Sequence, residues 1–170
     1  YLQNFLLKYF YLLIAKDNNT HNFLAEQLKD HTMNREYYAL VKGVIKENSG
    51  EIDLPIARSK TDRKKMAVDA INGKPAKTYF RVVSRYQEHT LITCSLVTGR
   101  THQIRVHMSY IGYPVEGDPV YNKRNAKLLY DKGQLLVAYK LNLIHPTSKK
   151  AVSFEIPLPT YFQQIIDQLN

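Results

Sequence analysis

The sequence predicts an α+β fold in which an antiparallel or mixed sheet is flanked by helices. Three observations predict it. Runs rich in β-branched and aromatic residues recur between turn signals, the hydrophobic period changes from two to about 3.6 just after Gly99, and a second run of helical period closes the chain.

The elements follow in order. The opening "YLQNFLLKYFYLLIAK" is apolar and aromatic, has neither the basic leader nor the small-residue cleavage site of a signal peptide, and predicts a buried strand over residues 9–15. Asp17 and Asn18 are suited to cap a helix running to about Lys29, with Phe23, Leu24 and Leu28 on its inner face. "NREYYALVKGVIKE" reads as a strand ended by Asn48, Ser49 and Gly50, and along it Tyr37 and Tyr38 alternate between faces. Residues 51–76 are irregular, with short strand-like pieces at "EIDLPI" and "KKMAVD". Residues 77–86 and 89–97 form a predicted hairpin. Ile104, Met108 and Ile111 share one stripe of a helix over residues 101–111. "GQLLVAYKLNLIHP" and "KKAVSFEIPLP" predict a strand pair turning at Pro146 and Thr147, and "TYFQQIIDQLN" a closing helix with Tyr161, Ile165 and Leu169 on one face.

At 170 residues, with no internal repeat and no linker-like tract, the chain is expected to form one domain. Lys and Arg number 24 against 15 Asp and Glu, a formal charge of +9, which points to a polyanion, nucleic acid foremost, as partner. The sequence has no apolar stretch of the length a membrane-crossing helix needs, so no membrane role is expected. A single cysteine, Cys94, in an alternating strand rules out a disulfide framework; it reads as a half-buried strand residue in a reducing, cytoplasmic setting.

Chemistry-bearing residues concentrate in "TGRTHQIRVH". A helix start offers free N–H groups and the positive end of a dipole, so Arg100 and Arg105 beside it suit a carboxylate or a phosphate. The plainer alternative for Arg105 is a salt bridge that holds the helix. His102 and His107 are five residues apart and point in different directions, which makes metal ligation from this helix geometrically poor. A second basic stretch between Arg58 and Lys77 carries seven Lys or Arg residues, opposed only by Asp62 and Asp69, and its Gly73-Lys74-Pro75 turn suits phosphate contact. A solvated basic loop is the alternative.

"LVTGRTHQIRVHMSYIGYPVEGDPVY" resembles, almost position for position, the segment that marks the RluA-type RNA pseudouridine synthases. "NREYYALVKG" is similar to that family's second motif, "KKMAVDAINGKPAKTYFRV" to its middle hairpins and "IHPTSKKAVSFEIPLP" to its closing strands, in unbroken order over residues 11–170. The resemblance implies a mixed, mainly antiparallel sheet with a central RNA cleft, isomerisation of a flipped-out uridine in ribosomal or transfer RNA, and no metal or organic cofactor. It implies that Tyr37 lies against the target base and that Arg105 pairs with the catalytic aspartate; with the charge pattern, Arg100, His102 and Gln103 at the helix start and Arg63, Lys64 and Lys74 in the basic stretch are expected to contact RNA.

The resemblance fails at residues 1–10. The family's aspartate belongs to a run close to "HRLDxxTSGLLLIAK", and aligning its end on "LLIAK" puts Phe5 in the aspartate's place. Phenylalanine is neither a nucleophile nor an acid or base. The family domain begins well upstream of this motif, so a partial domain is expected, with self-association in place of the monomer of its relatives. Asp118 is a carboxylate within "GDPVY", a family turn, and is not expected to replace the missing group. Three readings therefore stand: a uridine isomerase, an RNA-binding module without catalysis, and an incomplete fragment.

Overall fold

The structure, a computed structural model, describes residues 13–122 and 127–169. Phe5 and most of the strand expected over residues 9–15 lie outside them. Residues 13–15 carry no strand; Leu13 and Ile14 are exposed and no ladder reaches them.

Helix α1 (Asn18–Lys29) starts where predicted: the Asp17 side chain accepts a hydrogen bond from the Thr20 N–H at 2.8 Å. Its inner face differs from expectation, because Leu28 is 47% exposed while Leu24 and Gln27 are buried. Gln27 replaces hydrophobic contact with a clamp, donating to the Ile144 carbonyl at 2.9 Å and accepting from the Ile144 N–H at 2.6 Å. The sequence pattern could not show that a polar side chain would satisfy a strand end.

Strand β1 (Asn34–Lys42) is shorter than the predicted run. Gly43, at φ +89°, ends it by turning the backbone into a region that other residues rarely enter, and its N–H donates to the Glu88 carbonyl. Ser49 and Gly50, expected as terminators, instead open strand β2 (Ser49–Asp53). Strands β3 (Ile56–Arg58) and β4 (Met66–Val68) form a separate two-stranded hairpin within the basic stretch. The predicted hairpin is β5 (Lys77–Arg85) and β6 (His89–Leu96). Helix α2 (Gln103–Tyr110) follows, then β7 (Leu136–Ile144), β8 (Ala151–Glu155) and helix α3 (Thr160–Asp167).

Six strands form one sheet in the order β2-β5-β6-β1-β7-β8, and every neighbouring pair is antiparallel among the described residues. Strand β1 sits inside the sheet, and its alternation supplies two cores. Ala39 and Val41 face Ile92, Phe80 and, from α2, Ile104 and Met108. Leu40 faces the other way, toward Leu91, Val137 and the Phe162, Ile165 and Ile166 side chains of α3. On α3, Ile165 is buried as predicted together with Phe162 and Ile166, while Tyr161 and, just past the helix, Leu169 pack half-buried against the same core.

Candidate RNA-facing site

Tyr37 and Tyr38 part as their strand alternation requires. Tyr38 stacks on Tyr139 with ring centroids 4.1 Å apart, whereas Tyr37 packs beside the α2 core. The β1–β7 ladder slips between Glu36 and Tyr37, and such a bulge re-aims the side chains beside it. Tyr37 lines a cleft of about 400 Å³ with Arg35, Asn34, Thr98, Gly99 and Arg100. The volume suits a small-molecule or nucleotide-sized guest. No carboxylate is among the residues lining it.

The far wall of this cleft is the connection from β6 to α2, and Gln103 builds it. Its side chain is buried; its Oε1 accepts from the Thr98 hydroxyl at 2.8 Å and the Arg100 N–H at 2.9 Å, and its Nε2 donates to the Lys77 carbonyl and the Thr78 hydroxyl oxygen. Gln103, expected at the RNA, is thus spent on bracing the Thr98 side chain and the Arg100 N–H. The chain of bonds continues, since the Thr78 hydroxyl donates to His107 Nδ1 at 2.9 Å and His107 Nε2 donates to the Leu54 carbonyl at 2.9 Å. Burial pushes the His107 pKa down, outweighing that carbonyl, which fits the neutral ring these bonds require.

Arg105 faces another carboxylate than the one expected from resemblance. Its Nε donates to Asp118 Oδ2 at 2.6 Å and its Nη2 to Oδ1 at 2.8 Å, with both side chains buried. Burial pushes the Asp118 carboxyl up, but the bonds from Arg105 and from the Val120 and Tyr121 N–H groups outweigh it, and its pKa falls below the usual range. Both of its oxygens accept from Arg105 and the group is fully buried, so Asp118 is no free nucleophile. The Arg105 guanidinium also lies 5.1 Å from the Tyr121 ring centre. The Tyr121 hydroxyl accepts from the Met66 N–H at 2.9 Å and contacts His102 Nδ1 at 3.0 Å. Tyr121 therefore ties the β3–β4 hairpin to the start of α2, a role its place in "GDPVY" did not announce. His102 takes a left-handed backbone at φ 58°, and burial, then the nearby Arg105 charge, lowers its pKa.

The remaining basic residues divide. Arg63 and Lys64 are exposed at the tip of the β3–β4 hairpin, Lys64 alongside Asp62 and Pro119. Lys74 is held at the hairpin's base, where its backbone pairs with Ile56 in both directions at 2.9 Å. The preceding Gly73 is required, since a Cβ there would fall 2.3 Å from the Asp69 carbonyl oxygen. Arg58 and Lys74 line a second depression, and Arg100 lines both it and the Tyr37 cleft. Arg105 lines neither, although its helix shares a sheet face with Tyr37. Among the described residues, no group of three or more His, Cys, Asp or Glu side chains is gathered as a metal site requires, and no helix is long and apolar enough to cross a membrane.

A six-stranded antiparallel sheet bearing a basic, aromatic cleft at the end of its central strand defines the class first. The solved structure of Human RNA Pseudouridylate Synthase Domain Containing 1 shares this fold with a TM-score of 0.75, covering 91% of this chain and 73% of that one at 24% identity. The sequence profile of the RNA pseudouridylate synthase family matches residues 11–110, and the chain belongs to that family. It is 46% identical over 159 residues to the uncharacterised RNA pseudouridine synthase YlyB of Bacillus subtilis strain 168, covering 94% of this chain and 52% of the relative. It is 44% identical to the ribosomal large subunit pseudouridine synthase D of Nitrosomonas europaea, over 87% of this chain and 44% of the relative. The chain thus spans about half the length of these relatives.

Proposed function

We propose that the chain is the base-holding part of an RNA pseudouridine synthase, acting on structured RNA of the ribosomal type in the cytoplasm. The reaction is an isomerisation: the N1–C1′ bond of a uridine breaks, a C5–C1′ bond forms, the C5 proton leaves to water and N1 regains one. The observation that carries the reading is the Tyr37 cleft, an aromatic ring between Arg35 and Arg100 with no acid in its lining. A flipped uracil stacks on the ring while the two cations take its flanking phosphates, which offsets the cost of leaving the RNA stack. The name of the Nitrosomonas relative supports the choice of large-subunit ribosomal RNA. The formal charge of +9 supports a polyanionic substrate.

In this reading Tyr37 meets the target base, and Arg105, buried against Asp118 and outside the lining of the cleft, is a positioning residue that holds the start of α2 in place. Arg100, His102, Arg63, Lys64 and Lys74 contact RNA, and Gln103 supports them through the backbone. A second reading, RNA binding without isomerisation, is favoured by Phe5 at the aspartate's expected place.

Tritium release from RNA carrying carbon-5-labelled uridine separates the two, with the chain compared with its Phe5→Asp variant. Release by the chain itself supports isomerisation with a carboxylate other than one at position 5. Release by the variant alone supports the second reading. Absence of RNA binding by both proteins overturns the proposal.

A further inference from the structure

The Tyr37 cleft does not end at Arg100. Beyond it lies a second depression of about 390 Å³, with Ile56, Ala57 and Met66 among its lining and Arg58, Lys74 and Arg100 around it. No carboxylate lines it, and none lies within 4.0 Å of these three cations among the described residues. Three positive charges without a carboxylate partner, two of them steadied by backbone carbonyls, surround one partly apolar hollow and suit a ligand with an anionic edge and a flat apolar body.

Gly99 lines both depressions and stands between them. A Cβ added there meets nothing within 4 Å, and its φ lies outside the left-handed region, so neither packing nor backbone conformation within the chain calls for glycine. What a side chain at 99 would do is raise the ridge. The ridge is also braced: Gln103 Oε1 accepts from the Thr98 hydroxyl on one side of Gly99 and from the Arg100 N–H on the other, and Arg100 Nε donates to the Pro75 carbonyl at 3.0 Å.

We propose that this hollow is a second nucleotide subsite, in which the nucleotide next to the target uridine lies with its base over the half-buried Ala57 and Met66 and its phosphate against Arg58, Lys74 and Arg100. The RNA strand crosses the low saddle at Gly99, so that two adjacent nucleotides are gripped on either side of Arg100. The proposal rests on the RNA reading of the Tyr37 cleft and adds to it a defined path for the strand.

The test uses a fluorescein-labelled uridine decamer and the full chain, titrated between 50 and 400 mM potassium chloride. Removing one phosphate contact from a single strand lowers the slope of log affinity against log salt by about 0.7. Lys74→Gln and Arg58→Gln are expected to lose about that much each, and the exposed Lys132→Gln to lose nothing. Gly99→Val is expected to keep the thermal midpoint of the parent and to bind the decamer at least tenfold more weakly. A parent that binds, with Lys74→Gln and Gly99→Val matching it in slope and affinity, overturns the subsite and leaves the Tyr37 reading standing. A parent that binds neither the decamer nor a uridine-containing stem-loop overturns both.

Discussion

Arg105 and Asp118 form a two-pronged buried ion pair, closed at 2.6 and 2.8 Å, that joins the middle of α2 to the turn following it. Such geometry compensates the desolvation of both groups, and removing either partner leaves a buried charge. Asp118→Asn or Arg105→Met is expected to cost about 3–5 kcal/mol in urea unfolding. A double-mutant cycle is expected to give a coupling of kcal/mol size. Additive losses would show that the two side chains act separately.

Acid should unfold the protein through identifiable groups. Burial alone would raise the carboxyls of Glu116 and Asp118, but their hydrogen bonds and neighbouring cations win and both pKa values lie below the ordinary 4.5 and 3.8. The unfolded chain therefore takes up these protons first, so the stability they confer is complete above about pH 4.5 and is lost as the pH falls through their lowered values. His107, lowered from 6.5 by burial, follows the same sign at higher pH, with stability declining below about pH 6.5. The urea midpoint measured from pH 8 to pH 3.5 should fall in two limbs. His107→Gln should flatten the upper one; a midpoint constant from pH 8 to pH 5 contradicts the assignment of His107, and one that does not fall between pH 4.5 and pH 3.5 contradicts that of the two carboxylates.

Tyr37 should act through its ring before its hydroxyl. Tyr37→Ala is expected to weaken binding of a uridine-containing stem-loop by an order of magnitude or more, since stacking one base is worth about 1–3 kcal/mol. Tyr37→Phe should bind like the parent, with any loss confined to tritium release. Equal binding by the alanine variant would place the base elsewhere.

Cys94 is buried between β1 and β5, and burial pushes its thiol up to about 12. The thiolate is the reactive form, so an aromatic disulfide reagent at pH 8 should label the folded protein only as fast as it opens, and label it at once in urea. Rapid labelling without denaturant would show an accessible thiol.

The hairpin of β5 and β6, the start of α1 and the change of period into α2 were legible because local pattern and turn chemistry agree there. Strand β1 was read too long because Gly43 lies inside a run of otherwise strand-forming residues, and nothing local shows that its backbone turns over. The site was legible in parts. Tyr37 follows from the resemblance of "NREYYALVKG" to the family's second motif, strand alternation alone leaving Tyr37 and Tyr38 open, and Arg100 and Lys74 follow from charge. For Arg105 the plainer alternative, a salt bridge holding the helix, is what the structure shows, but its partner Asp118 and the Lys77 carbonyl that Gln103 meets are brought close only by folding. Tyr121 was missed for the same reason, its hydroxyl meeting a strand 55 residues earlier in the chain.

The interior place of β1 has a consequence for synthesis on the ribosome. One edge of β1 pairs with β6, complete at Leu96, but its other edge waits for β7, and Leu40 and Leu91 wait for Phe162 of α3. At 5–20 residues per second, the intervening 70 or so residues take roughly 4–14 s to emerge. For the part of that interval before β7 emerges the nascent chain exposes a ready-made strand edge, and for all of it the apolar patch that α3 covers, which is what a holding chaperone recognises. Slowing translation between β6 and α3 should therefore reduce the soluble yield more than the same delay placed before β1.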